Sequence, residues 1–312
     1  MRTPLISMNR RFRLHSGPRS GAGDNLLAAA LMVASMAAFV FNDTAIKLVT
    51  QTLPLSEGIA LRGIAVTAIL WVIAQRDGGV VWWPKGRRDR LMLSLRTVAE
   101  VSSTLVYLLA LQLMSLGQLS AVMQATPLLI MLAAAVVFRE RLGWRRLSAV
   151  GVGLAGVLLI LRPGTGAFDA SALLAVVAVV LIVVRDLASR GFTPAVRSST
   201  VAFYAALAVT LGAPLTGELG DWRWPTGGEV MGLAVSTVFL TIGYLTAVAV
   251  MRVGEVGFVS PFRYSALIFA FLVDLAVFGV WPAGWTWVGA GLVVAAGLYS
   301  IWREARLQDR SR

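Results

Sequence analysis

From residue 25 to residue 302 the chain is a succession of apolar runs of about twenty residues, separated by short polar turns. At about 1.5 Å per residue, a helical run of that length matches the roughly 30 Å hydrocarbon core of a bilayer. Inside lipid every backbone N–H and C=O must find a partner within the protein, which leaves only helices and closed barrels. The runs are continuous rather than alternating, so they select helices. The spacing predicts spans at about 25–49, 55–75, 91–113, 117–138 and 144–161, then 170–190, 195–215, 228–250, 254–278 and 284–302. The expected fold is therefore all-α and membrane-embedded, with ten spans. Pro54 and Pro194 stand where spans begin, the position at which a missing N–H costs nothing.

Composition narrows the function classes. Only 14% of the residues are charged and 57% are hydrophobic, against roughly 25% charged in soluble domains. Cys is absent and the single His is His15, in the basic segment before the first run. Disulfide frameworks, thiolate or His-based metal sites, Cys-His pairs and Ser-His-Asp triads therefore lack their parts. No Gly-rich phosphate loop follows a strand. No catalytic residue, metal ligand or cofactor is expected.

The net charge of +12 does not point to nucleic acid, because the basic residues sit in short loops as membrane topology signals do. With the N-terminus placed in the cytoplasm, 21 of the 28 Lys and Arg residues fall on that side and only Arg162 and Arg223 on the other. The remaining five, Lys47, Arg62, Arg96, Arg185 and Arg263, lie inside spans. The asymmetry predicts both termini in the cytoplasm and hence an even number of spans. The Trp residues lie near span ends, as interfacial rings do; Trp82, Trp83, Trp222, Trp224, Trp285 and Trp287 are examples. The segments 1–24 and 304–312 read as polar tails. Leu26–Phe41 also has the look of a signal-peptide core, but apolar sequence resumes after Asn42-Asp43-Thr44 and makes a full span.

The two halves echo each other. Asp43-Thr-Ala-Ile-Lys47 matches Asp186-Leu-Ala-Ser-Arg190, Tyr107 matches Tyr244, and Trp144, Gly156 and Arg162 match Trp285, Gly297 and Arg303. Five spans is an odd number, so a tandem copy enters the membrane upside down. The expected architecture is two inverted five-helix repeats, residues 25–164 and 165–303. Such repeats carry the substrate sites of many secondary transporters near the midplane.

Residues 113–164 carry a Pro-containing fourth span, the turn Glu140-Arg141, the glycines Gly151 to Gly156, and the closing Arg162-Pro163-Gly164. This stretch resembles the EamA-type members of the drug/metabolite transporter superfamily, as do 42–48, 185–190 and 260–269. The second copy departs from the pattern, with Trp281-Pro282 in place of the Glu-Arg turn. The resemblance covers residues 25–303. It implies a ten-span fold in a bacterial inner membrane and alternating-access movement of a small polar or zwitterionic metabolite, amino-acid-like, nucleoside-like or vitamin-like. The alternative is a membrane-embedded enzyme or lipid-handling protein, which would open a polar group sideways to lipid.

Intramembrane charges are costly and mark candidate sites. Asp43 with Lys47, Arg96 with Glu100, and Asp186 with Arg190 are spaced i,i+4, so each can also neutralise its partner on one helix face. Arg263 has no carboxylate within a turn on its own helix. The candidate substrate contacts are Asp43, Lys47, Arg96, Glu100, Tyr107, Gln124, Tyr244, Arg263 and Tyr264, with the bilayer as surroundings and protons as the candidate coupling ion. Pro127 and Pro261 interrupt their spans and are candidate hinges. Gly151, Gly153 and Gly156, with Gly289, Gly291 and Gly297, form small-residue faces for helix packing or a homodimer.

Topology is directly testable. Because the chain has no native Cys, a single cysteine introduced by Thr226→Cys is expected to react with an impermeant thiol reagent added outside intact cells. Labelling only after lysis would reverse the assignment.

Overall fold

The computed structural model describes residues 22–138, 143–162, 170–189, 191–193, 196–216, 221–253 and 256–310. All its regular elements are helices: α1 (Ala22–Val49), α2 (Leu55–Arg76), α3 (Arg87–Leu113), α4 (Leu116–Met123), α5 (Thr126–Phe138), α6 (Trp144–Leu161), α7 (Ala170–Ser189), α8 (Ser198–Gly212), α9 (Gly227–Val253), α10 (Val256–Val259), α11 (Ser265–Phe278) and α12 (Gly284–Arg310). Short 3₁₀ turns follow α8 at Ala213–Thr216 and precede α11 at Ser260–Tyr264.

Among the described residues, nine segments are long and apolar enough to cross a bilayer, with α4 and α5 together making one of them. The fifth predicted span is the exception. Its apolar part, Leu147–Leu161, is shorter, because Arg145 and Arg146 occupy the first turn of α6. The other predicted spans stand within a few residues. Their outer faces carry exposed large apolar side chains such as Ile64, Val136, Leu211, Val238 and Ile268, which suit contact with lipid and would be a liability in water.

Several boundaries follow from local chemistry. Pro54 is the residue preceding α2, as its fixed φ favours. Pro194 lies outside the described residues, as do Glu140 and Arg141. The fourth and ninth spans are both broken. Gln124 and Ala125 form a turn between α4 and α5, with Pro127 in the first turn of α5. Pro261 sits in the 3₁₀ turn ahead of α11. A proline cannot donate the helical hydrogen bond and crowds the preceding turn, so each break falls beside one. At the C-terminal end the helix does not stop at the predicted boundary near residue 303; α12 runs on to Arg310.

The packing follows a simple pattern. α1 packs chiefly on α9, α3 on α7, α2 on α8 and α6 on α12. Each pair joins an element before residue 162 to one after residue 170. Exchanging the two sets carries the first pair onto the second and leaves the other two on themselves. At the α6–α12 seam backbone meets backbone: a Cβ at Gly156 would lie 2.6 Å from the Gly289 carbonyl oxygen, and one at Gly289 would lie 2.5 Å from that of Gly156. Without a hydrophobic force between helices in lipid, such close backbone approach is what small residues supply. By contrast, a Cβ at Gly151 would meet nothing within 4 Å.

Overpacking a seam of this kind costs about 1–3 kcal/mol. Gly156→Ala is therefore expected to lower the thermal unfolding midpoint in detergent, whereas Gly151→Ala leaves it unchanged. Equal midpoints for the two variants would show that the seam tolerates separation.

Candidate functional site

Two polar groups lie inside the apolar bundle. The first is built on α1 and its neighbours. Asp43 accepts hydrogen bonds from the Tyr107 hydroxyl of α3 at 2.6 Å and from Asn42 Nδ2 at 3.0 Å. The Asn42 side-chain oxygen in turn accepts from Ser236 Oγ of α9 at 2.7 Å and from Arg62 Nη1 of α2 at 3.2 Å. Arg62 and Asn42 are both buried. Four helices thus converge on a pair of opposite charges, Asp43 and Arg62, bridged by an amide.

The second group centres on Glu100 of α3, which is 7% exposed. Arg96 reaches it at 3.2 Å from one turn earlier, and Arg185 of α7 reaches its other oxygen at 3.4 Å. Arg185 also contacts Asp186 at 2.9 Å, and Arg96 donates to Ser189 Oγ at 2.9 Å. Sequence spacing explains why α3 serves both groups. Glu100 and Tyr107 are seven residues apart, so they share one helix face. Tyr244 of α9 lies between the groups, within electrostatic reach of Glu100, Arg185, Arg62 and Arg96. The Phe39 ring meets it edge-on at 5.6 Å.

The two broken helices meet at their breaks. Gln124 Nε2 donates to the Arg263 carbonyl oxygen at 3.3 Å. Toward one end of this pair, the buried Asp274 of α11 accepts the backbone N–H groups of Leu116 at 3.0 Å and Gly117 at 2.6 Å. Ser115 accepts from Gln118 N at 3.2 Å. The start of α4, whose first N–H groups have no helical partner, is therefore capped by a carboxylate from α11. Lys47 donates to the Met114 carbonyl beside this cap and lies 5.3 Å from the centre of the Phe278 ring.

The structure thus brings Asp43, Arg96, Glu100, Tyr107 and Tyr244 into one central region. Lys47 stands by the α4 cap, and Gln124 and Arg263 stand at the helix breaks. Tyr264 is buried, with its hydroxyl packed on Gly297 and no hydrogen-bond partner among the described residues. Two pairings expected from i,i+4 spacing change. Lys47 does not neutralise Asp43: it turns to the Met114 carbonyl, because Asp43 is already held by Tyr107 and Asn42. Asp186 pairs with its neighbour Arg185, while Arg190 lies outside the described residues. Arg96–Glu100 forms as spaced. Sequence spacing alone did not single out Arg62, Arg185 and Asp274 as site residues, although a charge inside an apolar run was the available signal. Ser236 and Asn42 gave none.

An all-helical bundle with lipid-facing apolar faces and buried ion clusters defines a polytopic integral membrane protein. Residues 26–162 match the sequence profile described as the EamA-like transporter family. Among its relatives are the riboflavin transporter of Rhizobium johnstonii (strain DSM 114642 / LMG 32736 / 3841), 29% identical over 202 residues, and the S-adenosylmethionine uptake transporter of Rickettsia prowazekii (strain Madrid E), 25% identical over 185 residues. These alignments cover 62% and 58% of this chain, and 64% and 62% of the two relatives. The chain thus spans less than two thirds of the length of these curated relatives. A solved crystal structure shares the fold with a TM-score of 0.63 at 21% identity, over 93% of this chain and all of that one.

The carboxylate cap is testable by stability. Hydrogen bonds to a charged group contribute about 1.5–3 kcal/mol. Asp274→Asn, which replaces one acceptor oxygen by a donor facing a donor, is expected to lower the unfolding midpoint well below that of Asp221→Asn at an exposed turn. Indistinguishable midpoints would remove Asp274 from the support of α4.

Proposed function

We propose that this protein is a secondary transporter that moves a small polar or zwitterionic metabolite across the bacterial inner membrane by alternating access. The observation that carries the reading is the central polar array. Helices from both halves bring buried charges of both signs, with two tyrosines, to one region of an apolar bundle. A charge near mid-bilayer costs about 2.5–3.5 kcal/mol even on the mildest scale, and such groups face a pathway or pair with one another. Here they pair with one another in the closed bundle and stand where a polar solute could exchange for a partner.

The architecture we propose is ten spans in two inverted five-helix repeats, 25–164 and 165–303, with α6 as the short fifth span and both termini in the cytoplasm. The exchange-symmetric helix pairing and the distribution of Lys and Arg support it. In this reading Asp43, Arg96, Glu100, Tyr107 and Tyr244 contact the solute. Lys47, Gln124 and Arg263 border its path, and Tyr264 sets the wall behind it. Pro127 and Pro261 act as hinges, since broken helices let each half-span move separately. Protons are the proposed coupling ion, taken up at the carboxylates, and a homodimer through the small-residue faces belongs to the same proposal. The riboflavin and S-adenosylmethionine names of the relatives favour a vitamin-like or nucleoside-like solute, whose ring would lie against the tyrosines.

The test is uptake of radiolabelled riboflavin, S-adenosylmethionine and a panel of amino acids and nucleosides by proteoliposomes, with and without a pH gradient. At least one solute is expected to accumulate above protein-free vesicles. For that solute, Glu100→Gln is expected to abolish binding or its pH dependence, and Arg263→Lys to weaken it, because an ammonium does not reproduce the planar guanidinium. Unchanged affinity and pH dependence in both variants would move the site elsewhere. No accumulation of any solute would count against transport itself.

A further inference from the structure

The turns at the two ends of the bundle carry the same short sequence. Trp83-Pro84-Lys85-Gly86 precedes α3 and Trp224-Pro225-Thr226-Gly227 leads into α9, and the first acid after each is Asp89 and Glu229. Thr52 and Thr193 fall in the turns after α1 and α7, each with a proline close behind. The fold brings each acid onto the threonine of the other half. Glu229 accepts from Thr52 Oγ1 at 2.7 Å. Asp89 accepts from Thr193 Oγ1 at 2.6 Å and from Thr193 N at 2.9 Å. Both carboxylates are buried. The 22 residues of α2 separate the two contacts, so they stand on opposite faces of the membrane, roughly 33 Å apart.

We propose that Thr52–Glu229 and Thr193–Asp89 are the two gates of the transport cycle, one per membrane face. This rests on the transporter reading above. Each contact closes a seam between halves, α1 against α9 at one face and α3 against α7 at the other. A charge-assisted bond between a hydroxyl and a carboxylate at the water interface is strong enough to hold a seam and, once hydrated, cheap enough to release. Two chemically matched latches give each face the same means of opening, as exchange of inverted repeats requires. Both are closed in this structure.

The two latches are built differently. Glu229 also receives Arg223 through Nη1 at 3.0 Å and Nη2 at 2.5 Å, and Thr226 through its N–H at 2.7 Å and hydroxyl at 2.9 Å. Those bonds stay within one half and orient the carboxylate; across the seam Arg223 Nη2 also donates to the Thr52 carbonyl at 3.1 Å, and at the other face Arg88 donates to the Gly191 carbonyl at 3.0 Å.

Double spin labelling of the full chain in nanodiscs tests this, since no native Cys competes. One label pair, Gln51→Cys with Asp221→Cys, reports on the Glu229 face; the other, Arg87→Cys with Phe192→Cys, reports on the Asp89 face. Glu229→Gln is expected to raise the long-distance population at its own face, on the order of tenfold for each charge-assisted bond lost, and to leave the other face narrow. Asp89→Asn is expected to do the reverse. Thr52→Val and Thr193→Val, which keep side-chain shape, are expected to repeat each effect more weakly and serve if an acid variant fails to fold. Unchanged distances at the variant's own face, or both faces broadening together, would overturn the proposal and make these contacts structural pins. Face-specific opening without uptake of any solute would leave the latches standing while sinking transport; uptake with unchanged distances would do the opposite.

Discussion

Every polar group inside this bundle has to be satisfied by the protein, because lipid offers nothing in return. That constraint explains where the structure departs from plain helices. Breaking the fourth span at Gln124 and Ala125 and the ninth at Ser260–Tyr264 frees backbone groups that cost several kcal/mol each if left alone in hydrocarbon. The two breaks lie against each other, and Gln124 serves the Arg263 carbonyl; at the far end of α4, Asp274 of α11 serves the first N–H groups. At the first break the N–H groups of Gln124, Ala125 and Leu129 still reach the carbonyls of Ser120, Val122 and Ala125.

The same constraint governs the charges. Glu100 is held by two arginines and Asp43 by a tyrosine and an asparagine, with Arg62 completing the set through Asn42. A fully paired network of this kind fixes the register of α1, α2, α3, α7 and α9 relative to one another, because sliding any helix by one turn would leave an uncompensated charge. Breaking a buried pair by removing one partner costs about 3–5 kcal/mol. The array is thus a structural lock in the closed bundle.

Packing between helices follows from a different rule. Apolar side chains gain little by leaving lipid for one another, so close approach is left to glycine at α6–α12, where Gly156 and Gly289 put backbone against backbone. Arg162, the residue after α6, adopts a left-handed conformation and lies 5.7 Å from the ring of Trp285 on α12. The short apolar helix α6 thus packs on α12 along both its glycine seam and its C-terminal end.

What the sequence determined by itself was the class of fold and the location of most helices, because twenty-residue apolar runs and the placement of Lys and Arg are one-dimensional signals set by bilayer thickness and the cost of moving charge. It also flagged the intramembrane charges, since any ionisable residue in such a run stands out. It did not determine who pairs with whom. Spacing offered Lys47 as the partner of Asp43, yet Tyr107, sixty-four residues away, took that place. Arg62, Ser236 and Asn42 entered the central group only because α2, α9 and α1 pack together. Pairings between residues far apart in the chain carry no local period. They were decided by the tertiary structure, where burial makes each unpaired group costly and so favours arrangements that pair the charges.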